Sequence, residues 1–169
     1  MSAARGGVIT TYLEMSSPAE LQPKRSSDPR FAIREVQPRQ WQLNRWLYLN
    51  VGEPWSWTDK RVWSDERWQR YVNSDSLRTF VGEYDGHIAG YFELHRVKAD
   101  VEIAYFGLLP EFIGRGLGGP LLTSAIEHAW RRDATRVWVH TCSLDHPRAL
   151  ANYRARGFRV FRTSRSPSA

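Results

Sequence analysis

Pro110-Glu111-Phe112-Ile113-Gly114-Arg115-Gly116-Leu117-Gly118-Gly119 joins an apolar run, Val101 to Leu109, to an amphipathic run, Leu121 to Arg132. Four of its last six residues are glycine, which adopts positive φ without strain and has no Cβ to keep a ligand away from the backbone. The first amides of the following helix have no intrahelical partner, and the helix dipole is positive at that end. A strand, a glycine loop and a helix in this order therefore predict an anion site, most often one for a phosphate or diphosphate.

The composition limits the class of protein. The 169-residue chain is 41% hydrophobic, which fits one globular domain, and it has no apolar run of about 18 residues that would predict a membrane span. We find no secretory signal, and the single cysteine, Cys142, excludes an intramolecular disulfide framework and a cysteine-based zinc site. The net charge of +6 comes mainly from scattered arginines, so we expect no nucleic-acid partner. From the absence of an apolar run, the single cysteine and the lack of a signal, we also expect no membrane partner, no metal and a cytoplasmic location.

Hydrophobic periodicity predicts the element order β-α-α-β-β-β-α-β-α-β, a mixed α/β (α+β) fold around one mostly antiparallel sheet flanked by helices. Strands are expected at 31–36, 77–84, 87–97, 101–109, 135–142 and 158–163, and helices at 38–49, 64–71, 121–132 and from 145 to the glycine at 157. Asp85-Gly86 predicts a hairpin turn, Ser64 and Asp145 are expected helix N-caps, and Gly157 is expected to end the last helix.

The predicted domain covers residues 31–163. Residues 1–30 are expected to precede it as an extension with a short strand over Ile9 to Met15 and then a Pro/Ser-rich loop. An extra strand of the sheet and a dimer contact are both open for this extension. Residues 164–169 are expected to be a frayed tail.

The spacing Gly114-x-Gly116-x-x-Gly119 matches the dinucleotide fingerprint, but its context does not. The loop follows a meander of antiparallel-type strands, and one clear β-α-β unit follows it, so a doubly wound sheet lacks material. A Walker loop is excluded because the chain contains no Gly-Lys-Ser/Thr sequence.

The region from Phe31 to Thr163 resembles the GNAT superfamily of acyl-CoA-dependent N-acyltransferases. The glycine stretch, continued by Pro120-Leu121-Leu122, is similar to the family's pyrophosphate loop, Gln/Arg-x-x-Gly-x-Gly/Ala; Gly116 and Gly118 match, and Ile113 stands at the Gln/Arg position. Ala149 followed by Tyr153-Arg154-Ala155-Arg156-Gly157-Phe158 is similar to the family's Asn-x-x-Ala-x-x-x-Tyr-x-x-x-Gly-Phe. His146 stands at the Asn position, and Asn152 lies elsewhere on the helix.

The resemblance implies a GNAT-like fold that binds acetyl-CoA as co-substrate and moves its acetyl group to the primary amine of a small molecule by direct attack. A backbone amide near Leu108 or Leu109 would polarise the thioester carbonyl, and Tyr153 would protonate the leaving thiolate. The residues that the resemblance implies for cofactor binding are Leu108, Leu109, Ile113, Gly114, Arg115, Gly116, Leu117, Gly118, Gly119, His146 and Asn152.

The attacking amine must be neutral, and a lysine-like amine with a pKa of about 10.4 is almost fully protonated at pH 7, so a general base is useful. Many family members place a carboxylate where Glu102 stands, and Glu93 on the preceding strand is the other candidate; a mechanism with neither is also open. Strict alternation puts Glu102 on one strand face with Phe106, and Ile103 on the other with Tyr105.

The same strand region contains a possible nucleophile. His140 and Cys142 share a strand face, and Asp145 follows, so an acyl-cysteine intermediate is an alternative to direct attack. A lone cysteine in a strand is more often a small buried hydrophobe.

Six of the eight tryptophans lie between Trp41 and Trp68, in the region that covers the acceptor site in the resembled fold. Trp55 and Trp57 lie in a connection between helices, where they either cap the core or line the acceptor site, and Glu53 or Asp59 would attract a cationic amine. Two other functions remain open: acetylation of a protein or peptide amine, and a regulatory module that binds acyl-CoA without turnover. A homodimer is also open.

Overall fold

One seven-stranded sheet organises the residues that the computed structural model describes, 7–131 and 133–167. Its strands are β1 (Val8–Met15), β2 (Phe31–Glu35), β3 (Leu77–Tyr84), β4 (His87–Val97), β5 (Asp100–Leu108), β6 (Arg136–Cys142) and β7 (Arg159–Ser166). The helices are α1 (Trp41–Gly52), α2 (Asp65–Val72), α3 (Gly118–Trp130) and α4 (Ala149–Ala155). The order across the sheet is β2-β3-β4-β5-β6-β1-β7, and among these strands β5 and β6 pair in parallel while the other neighbours are antiparallel. The predicted mixed fold is confirmed.

The sheet has a hydrophobic cluster on each face. Apolar residues of α3 at helical spacing pack on one face against Phe80, Phe92 and Ile103, and they are Leu121, Leu122, Ala125, Ile126 and Ala129. On the other face, Leu47 and Val51 of α1 and Trp68 of α2 are buried. Each fully buried leucine contributes about 1.5–3 kcal/mol, so these two clusters hold the helices on the sheet.

Three local signals act as the sequence predicts. Asp85 and Gly86 have φ values of 52° and 81°, which is the geometry of a two-residue hairpin turn between β3 and β4. The Ser64 side chain accepts a hydrogen bond from the Arg67 amide at the start of α2. Gly157 has φ of 108° just after α4, so the expected C-terminal glycine is confirmed.

The predicted starts of α1 and α4 are wrong. Val36 donates its amide to Thr79 of β3, so the chain leaves the sheet only after Val36 and needs residues 37–40 to turn into α1 at Trp41. Asp145 does not cap α4, because its carboxylate turns back to accept hydrogen bonds from the Thr141 hydroxyl and the Cys142 amide. α4 begins instead at Ala149, with Arg148 at its N-cap.

The predicted N-terminal strand lies within the sheet, between β6 and β7. Residues from Thr10 to Met15 pair with β6, and residues from Val8 to Glu14 pair with β7. Since Val8 pairs with Ser166, β7 continues past the predicted end at Thr163. The described part of the expected tail is therefore hydrogen-bonded, and residues 1–6 and 168–169 lie outside the described residues.

A bulge in β5 overturns the predicted strand alternation. Ile103 pairs with Leu94 and Tyr105 pairs with Glu93, which leaves Ala104 as an extra residue. Ile103 packs on the α3 side, whereas Tyr105 contacts the clusters beneath α1 and α2. Tyr105 and Ile103 therefore lie on opposite faces of the sheet, which strict alternation cannot give.

The strands β5 and β6 separate after a short parallel contact. Asp100, Val101 and Glu102 of β5 pair with Arg136, Val137 and Trp138 of β6. β5 then continues to Leu108 and β6 to Cys142, but these later residues do not pair with each other. The sheet therefore opens in a V between these strands. Across residues 7–131 and 133–167, none of the helices is both long and apolar enough to cross a membrane.

Candidate functional site

A cavity of about 660 Å³ lies where β5 and β6 separate, and it reaches both faces of the sheet. Most of the predicted site residues line it: Leu108, Ile113, Gly114, Gly116, Leu117, Gly118, Gly119, His146, Asn152, Tyr153, Trp55 and Trp57. Glu102, Glu93, Leu109 and Arg115 are not part of its wall. The cavity thus brings the two sequence motifs together. The Asn152 side-chain nitrogen donates a hydrogen bond to the Gly118 carbonyl at 3.2 Å, although the two residues are 34 positions apart in the chain.

The glycine loop presents bare backbone to the cavity. Gly114 and Gly116 have φ values of 83° and 77°, and nothing lies within 4 Å of the place where a Cβ would be on either residue. α3 begins at Gly118, immediately after this open stretch. The free amides at the start of α3 can therefore reach an anion that rests on the loop.

Two basic side chains pack against the start of α3. The Lys24 Cδ lies 2.6 Å and the Arg156 Nη1 lies 3.2 Å from the position that a Cβ on Gly119 would take. The Nε and Nη1 atoms of Arg156 are buried and have no hydrogen-bond partner among the described residues. Lys24 lines the cavity, whereas Arg156 is not part of its wall, and a positive charge beside the positive end of a helix favours an anion. The sequence placed Lys24 in a surface loop, and no local signal pointed to this position.

The Arg115 side chain does not add charge to this wall. Its guanidinium lies over the Phe112 ring, 5.1 Å from the centroid, and 6.0 Å from the centroid of Tyr84. Arg115, which the resemblance includes in the cofactor site, therefore contributes its backbone to the loop and keeps its side chain away from the cavity wall.

The free amides of β5 are defined by its pairing with β4. The Leu109 amide donates to the Ala89 carbonyl at 2.8 Å, so it is already used. Because successive amides of a strand point to opposite sides, the amides of Leu108 and Phe106 point away from β4 and into the gap. Of the two predicted amides, Leu108 is the available one, and sequence reasoning missed Phe106.

Tyr153 on α4 lines the cavity and is 6% exposed. Its ring packs near Phe106 and Phe158, with centroids 6.1 Å away in both cases. Burial raises the pKa of its hydroxyl, so the phenol stays protonated at neutral pH. No hydrogen bond holds this hydroxyl among the described residues, which leaves it free to donate to a ligand.

Two tryptophans bridge the side of the cavity between the α1–α2 connection and the end of β6. The Trp57 indole nitrogen donates to Asp145 Oδ1 at 3.3 Å, and the Trp55 ring contacts the His146 ring with centroids 4.8 Å apart. The connection between α1 and α2 is thereby joined to the segment that follows β6. His146 also accepts a hydrogen bond from the Arg148 amide at 3.0 Å.

Asp59 supplies negative charge on the same side as Trp57. Its carboxylate accepts hydrogen bonds from Tyr48 at 2.6 Å and Tyr105 at 3.0 Å, and the Lys60 ammonium lies 3.6 Å away. Burial alone would raise the pKa of Asp59, but the Tyr48 hydroxyl, Lys60 and Tyr105 outweigh it and lower that pKa. Asp59 is therefore ionised at neutral pH and lies on the cavity wall.

The two candidate bases lie in different surroundings. Glu93 is 1% exposed, and its carboxylate accepts hydrogen bonds from Asn44 at 2.9 Å and from Tyr71. Glu93 is thus part of the core beneath α1 and α2. Glu102 lies just outside the cavity, with its Oε1 3.3 Å from the Nδ1 of His140, which does line the cavity.

Cys142 lines the cavity, but its surroundings disfavour a thiolate. Burial is the main cause that raises the pKa of this thiol, and nearby Asp145 adds to it. The nucleophile is the thiolate rather than the thiol. Direct attack is therefore better supported than an acyl-cysteine. In the described part of the chain, no cluster of His, Cys, Asp or Glu could hold a metal ion.

The chain belongs to the acetyltransferase (GNAT) family, whose sequence profile matches residues 35–158. It is 31% identical over 83 residues to a putative [ribosomal protein bS18]-alanine N-acetyltransferase of Bacillus subtilis (strain 168), covering 49% of this chain and 55% of that protein. It is 30% identical over 123 residues to a mycothiol acetyltransferase of Corynebacterium glutamicum (strain R), covering 69% of this chain and 41% of that protein.

The fold is shared with solved structures. A GCN5-related N-acetyltransferase from Sphaerobacter thermophilus superposes with a TM-score of 0.70 at 19% identity, over 94% of this chain and 50% of that one. This chain therefore spans about half the length of these relatives. Members of the family use acetyl-CoA as co-substrate.

The loop residues fit this co-substrate. The open backbone of Gly114 and Gly116 leaves room for a diphosphate. Lys24, which lines the cavity, supplies positive charge beside it.

Proposed function

We propose that this protein transfers an acetyl group from acetyl-CoA to the primary amine of a small cationic molecule. The observation that carries the choice of acceptor is that Trp57 and Trp55 contact Asp145 and His146 across the cleft and narrow the cavity on that side. An extended peptide needs an open groove, whereas a small amine fits a narrowed cavity. Asp59 on the wall favours a positive charge in the acceptor.

In this proposal, the loop from Ile113 to Gly119 holds the diphosphate through its backbone amides, and Lys24 adds a positive charge. Asn152 fixes the start of α3 through its hydrogen bond to Gly118. Acetyl-CoA supplies a thioester whose carbonyl carbon accepts the amine. The chain contributes the amides of Leu108 and Phe106, which are directed into the gap between β5 and β6 and would stabilise negative charge on the carbonyl oxygen.

Tyr153 is the proposed acid. A thiol has a pKa of about 8.5, which is below that of a buried phenol, so complete proton transfer from Tyr153 to a thiolate is uphill. The Tyr153 hydroxyl acts instead as a hydrogen-bond donor while negative charge grows on sulfur, and solvent can complete the protonation. Glu102 lies beside His140 at the edge of the cavity, and in this proposal the acceptor amine loses its proton near these two residues.

A second candidate is acetylation of a protein N-terminus. It is favoured by the likeness to the putative bS18-alanine acetyltransferase, which covers about half of this chain. A third candidate is a module that binds acyl-CoA without turnover. It is favoured by Ile113 and His146, since the family motifs have other residues at these two positions.

The test is release of CoA from acetyl-CoA, followed with a thiol reagent, across arylamines, polyamines, aminoglycosides, amino acids and peptides that begin with alanine. We expect at least one small cationic amine to exceed the rate without acceptor. Preference for the alanine peptides would favour the second candidate. Acetyl-CoA binding by calorimetry with no turnover on the whole panel would favour the third.

A further inference from the structure

His140 stands between Glu102 and the cavity. The His140 side chain is 45% exposed and lines the cavity, whereas Glu102 is 17% exposed and does not. The Glu102 Oε1 lies 3.3 Å from the His140 Nδ1. A carboxylate in this position cannot touch an acceptor in the cavity directly, but it can act on the imidazole that does.

The backbone explains why the two side chains meet. Glu102 is the last residue of β5 that pairs with β6, where its partner is Trp138. His140 is two residues further along β6 and therefore projects from the same strand face, at the point where the gap opens. The pair is thus placed by the divergence of the strands that also frees the amides of Phe106 and Leu108.

Neighbouring rings hold the imidazole in place. The Trp138 ring is stacked at 29° with its centroid 6.0 Å away, and the Tyr12 ring lies 5.7 Å away from β1, where Tyr12 is the register partner of His140. The Arg162 guanidinium of β7 lies over the Tyr12 ring, 3.9 Å from its centroid. β1 and β7 thereby help to fix the orientation of a side chain on β6.

This arrangement assigns different tasks to the two imidazole nitrogens. A hydrogen bond from Nδ1–H to Glu102 leaves Nε2 as the proton acceptor in the neutral ring. The hydrogen bond to Glu102 is the main cause that raises the pKa of His140, burial opposes it, and Asp145 and Asp59 raise it further. Among the described residues, Tyr12 on β1 contacts the His140 ring, and Cys142 lies two residues further along β6 on the cavity wall.

We propose that His140 is the general base of this site and that Glu102 is the residue that positions it. The proposal rests on the acetyl transfer proposed above. An acceptor R–NH₃⁺ gives one proton to Nε2 of His140 and becomes R–NH₂. The nitrogen lone pair then forms the C–N bond to the thioester carbonyl carbon, the C–S bond breaks, and its electron pair leaves on sulfur. The nitrogen loses its second proton to solvent, and the thiolate is protonated by solvent with Tyr153 as hydrogen-bond donor. His140 then releases its proton to solvent, which restores the base.

The experiment compares pH profiles of kcat/KM from pH 5 to 9 for the wild type, His140→Gln and Glu102→Gln. One acceptor from the panel is used throughout, so that its own ionisation is common to all variants. The matched control is His87→Gln, at an exposed position in the β3–β4 hairpin. Acetyl-CoA affinity and thermal unfolding, measured on each variant, report loss of the fold separately from loss of the base.

We expect His140→Gln to lower kcat about 100-fold or more while acetyl-CoA affinity stays within twofold. Glu102→Gln should keep part of the activity, and its acidic limb should move to lower pH by about one unit, because the pKa of His140 falls without the carboxylate. An NMR titration of the His140 ring proton in the same variant should show the same downward shift.

The outcomes separate the two proposals. Full activity and an unchanged profile in His140→Gln, with an active wild type, would overturn the base assignment and leave acetyl transfer intact. A loss in Glu102→Gln equal to that in His140→Gln, without movement of the limb, would make Glu102 the base and overturn the positioning role. An inactive wild type that still binds acetyl-CoA would reject both proposals.

Discussion

The indole nitrogen of Trp57 donates a hydrogen bond to the carboxylate of Asp145 at 3.3 Å, across the opening between the α1–α2 connection and the end of β6. The two residues are 88 positions apart in the chain. The same carboxylate accepts from Thr141 and from the Cys142 amide, so its position is fixed by β6. Trp57 therefore narrows the cavity through a partner that β6 holds in place, and this contact bears on which acceptors can enter.

Removal of the Trp57 hydrogen bond should weaken acceptor binding. Trp57→Phe keeps an aromatic ring but loses the N–H donor. Since one such bond contributes about 1 kcal/mol, we expect the KM of a small amine to rise about fivefold while acetyl-CoA affinity is unchanged. Trp46→Phe, on an α1 ring that is 48% exposed, is the control that should leave both constants as they were. Equal KM values for Trp57→Phe and the wild type would show that this contact does not shape the acceptor site.

Loss of the Tyr153 hydroxyl should slow turnover without affecting binding. In Tyr153→Phe, we expect kcat to fall about 100-fold, because the donor to sulfur is gone, and acetyl-CoA affinity to stay the same. The control is Tyr91→Phe, whose buried hydroxyl has no hydrogen-bond partner in the described part of the chain and lies outside the cavity wall. Steady-state kinetics and calorimetry check both variants, and an undiminished kcat would remove Tyr153 from the mechanism.

A carboxylate at Gly116 should abolish acetyl-CoA binding. Gly116→Glu places negative charge where the loop would hold a diphosphate. Gly86→Glu is a matched control, since Gly86 has a similar φ of 81° against 77° and also has no atom within 4 Å of a Cβ position. Both variants carry the backbone strain, about 1–2 kcal/mol, so both should show a comparable fall in melting temperature. Calorimetry should find lost affinity in Gly116→Glu alone; a loss in both would assign the effect to strain.

Lys24 should add to the affinity for acetyl-CoA although it lies outside the region that the family profile covers. For Lys24→Gln, we expect a loss of about fivefold that shrinks at high salt, since one charge contact is removed. Arg25→Gln removes the neighbouring charge, whose guanidinium is paired with Glu127 at 2.6 Å, and should leave the affinity unchanged. An identical affinity in Lys24→Gln at low salt would contradict a role for this cation.

Glu93 should govern pH-dependent stability and not turnover. Burial raises the pKa of Glu93, although Tyr71 and Asn44 act in the opposite direction. A raised folded-state pKa means that its contribution to stability is complete below about 4.5, its ordinary value, and is lost as the pH rises through the folded-state value. The free energy of unfolding of Glu93→Gln, measured in urea, should therefore fall less than that of the wild type as the pH rises. A large fall in kcat for this variant would restore Glu93 as a candidate base.

Local signals in the sequence determined much of the fold. The Asp85-Gly86 turn, the Ser64 cap and the Gly157 end all depend on interactions within a few residues, so the sequence pattern was enough to predict them. The bulge at Ala104 depends on pairing between β4 and β5, and strict alternation therefore placed Tyr105 on the wrong face. Asp145 failed as a helix cap because its carboxylate bonds to residues that precede it in β6.

By itself, the sequence determined the glycine loop, the α4 motif and hence the family, since each is a contiguous pattern with a local backbone meaning. Only the tertiary structure decided which side chains reach the cavity. It placed β1 inside the sheet, brought Lys24 to the start of α3, and set His140 between Glu102 and the cavity. The physical reason is that these contacts join segments far apart in the chain, and their geometry follows from how β5 and β6 diverge.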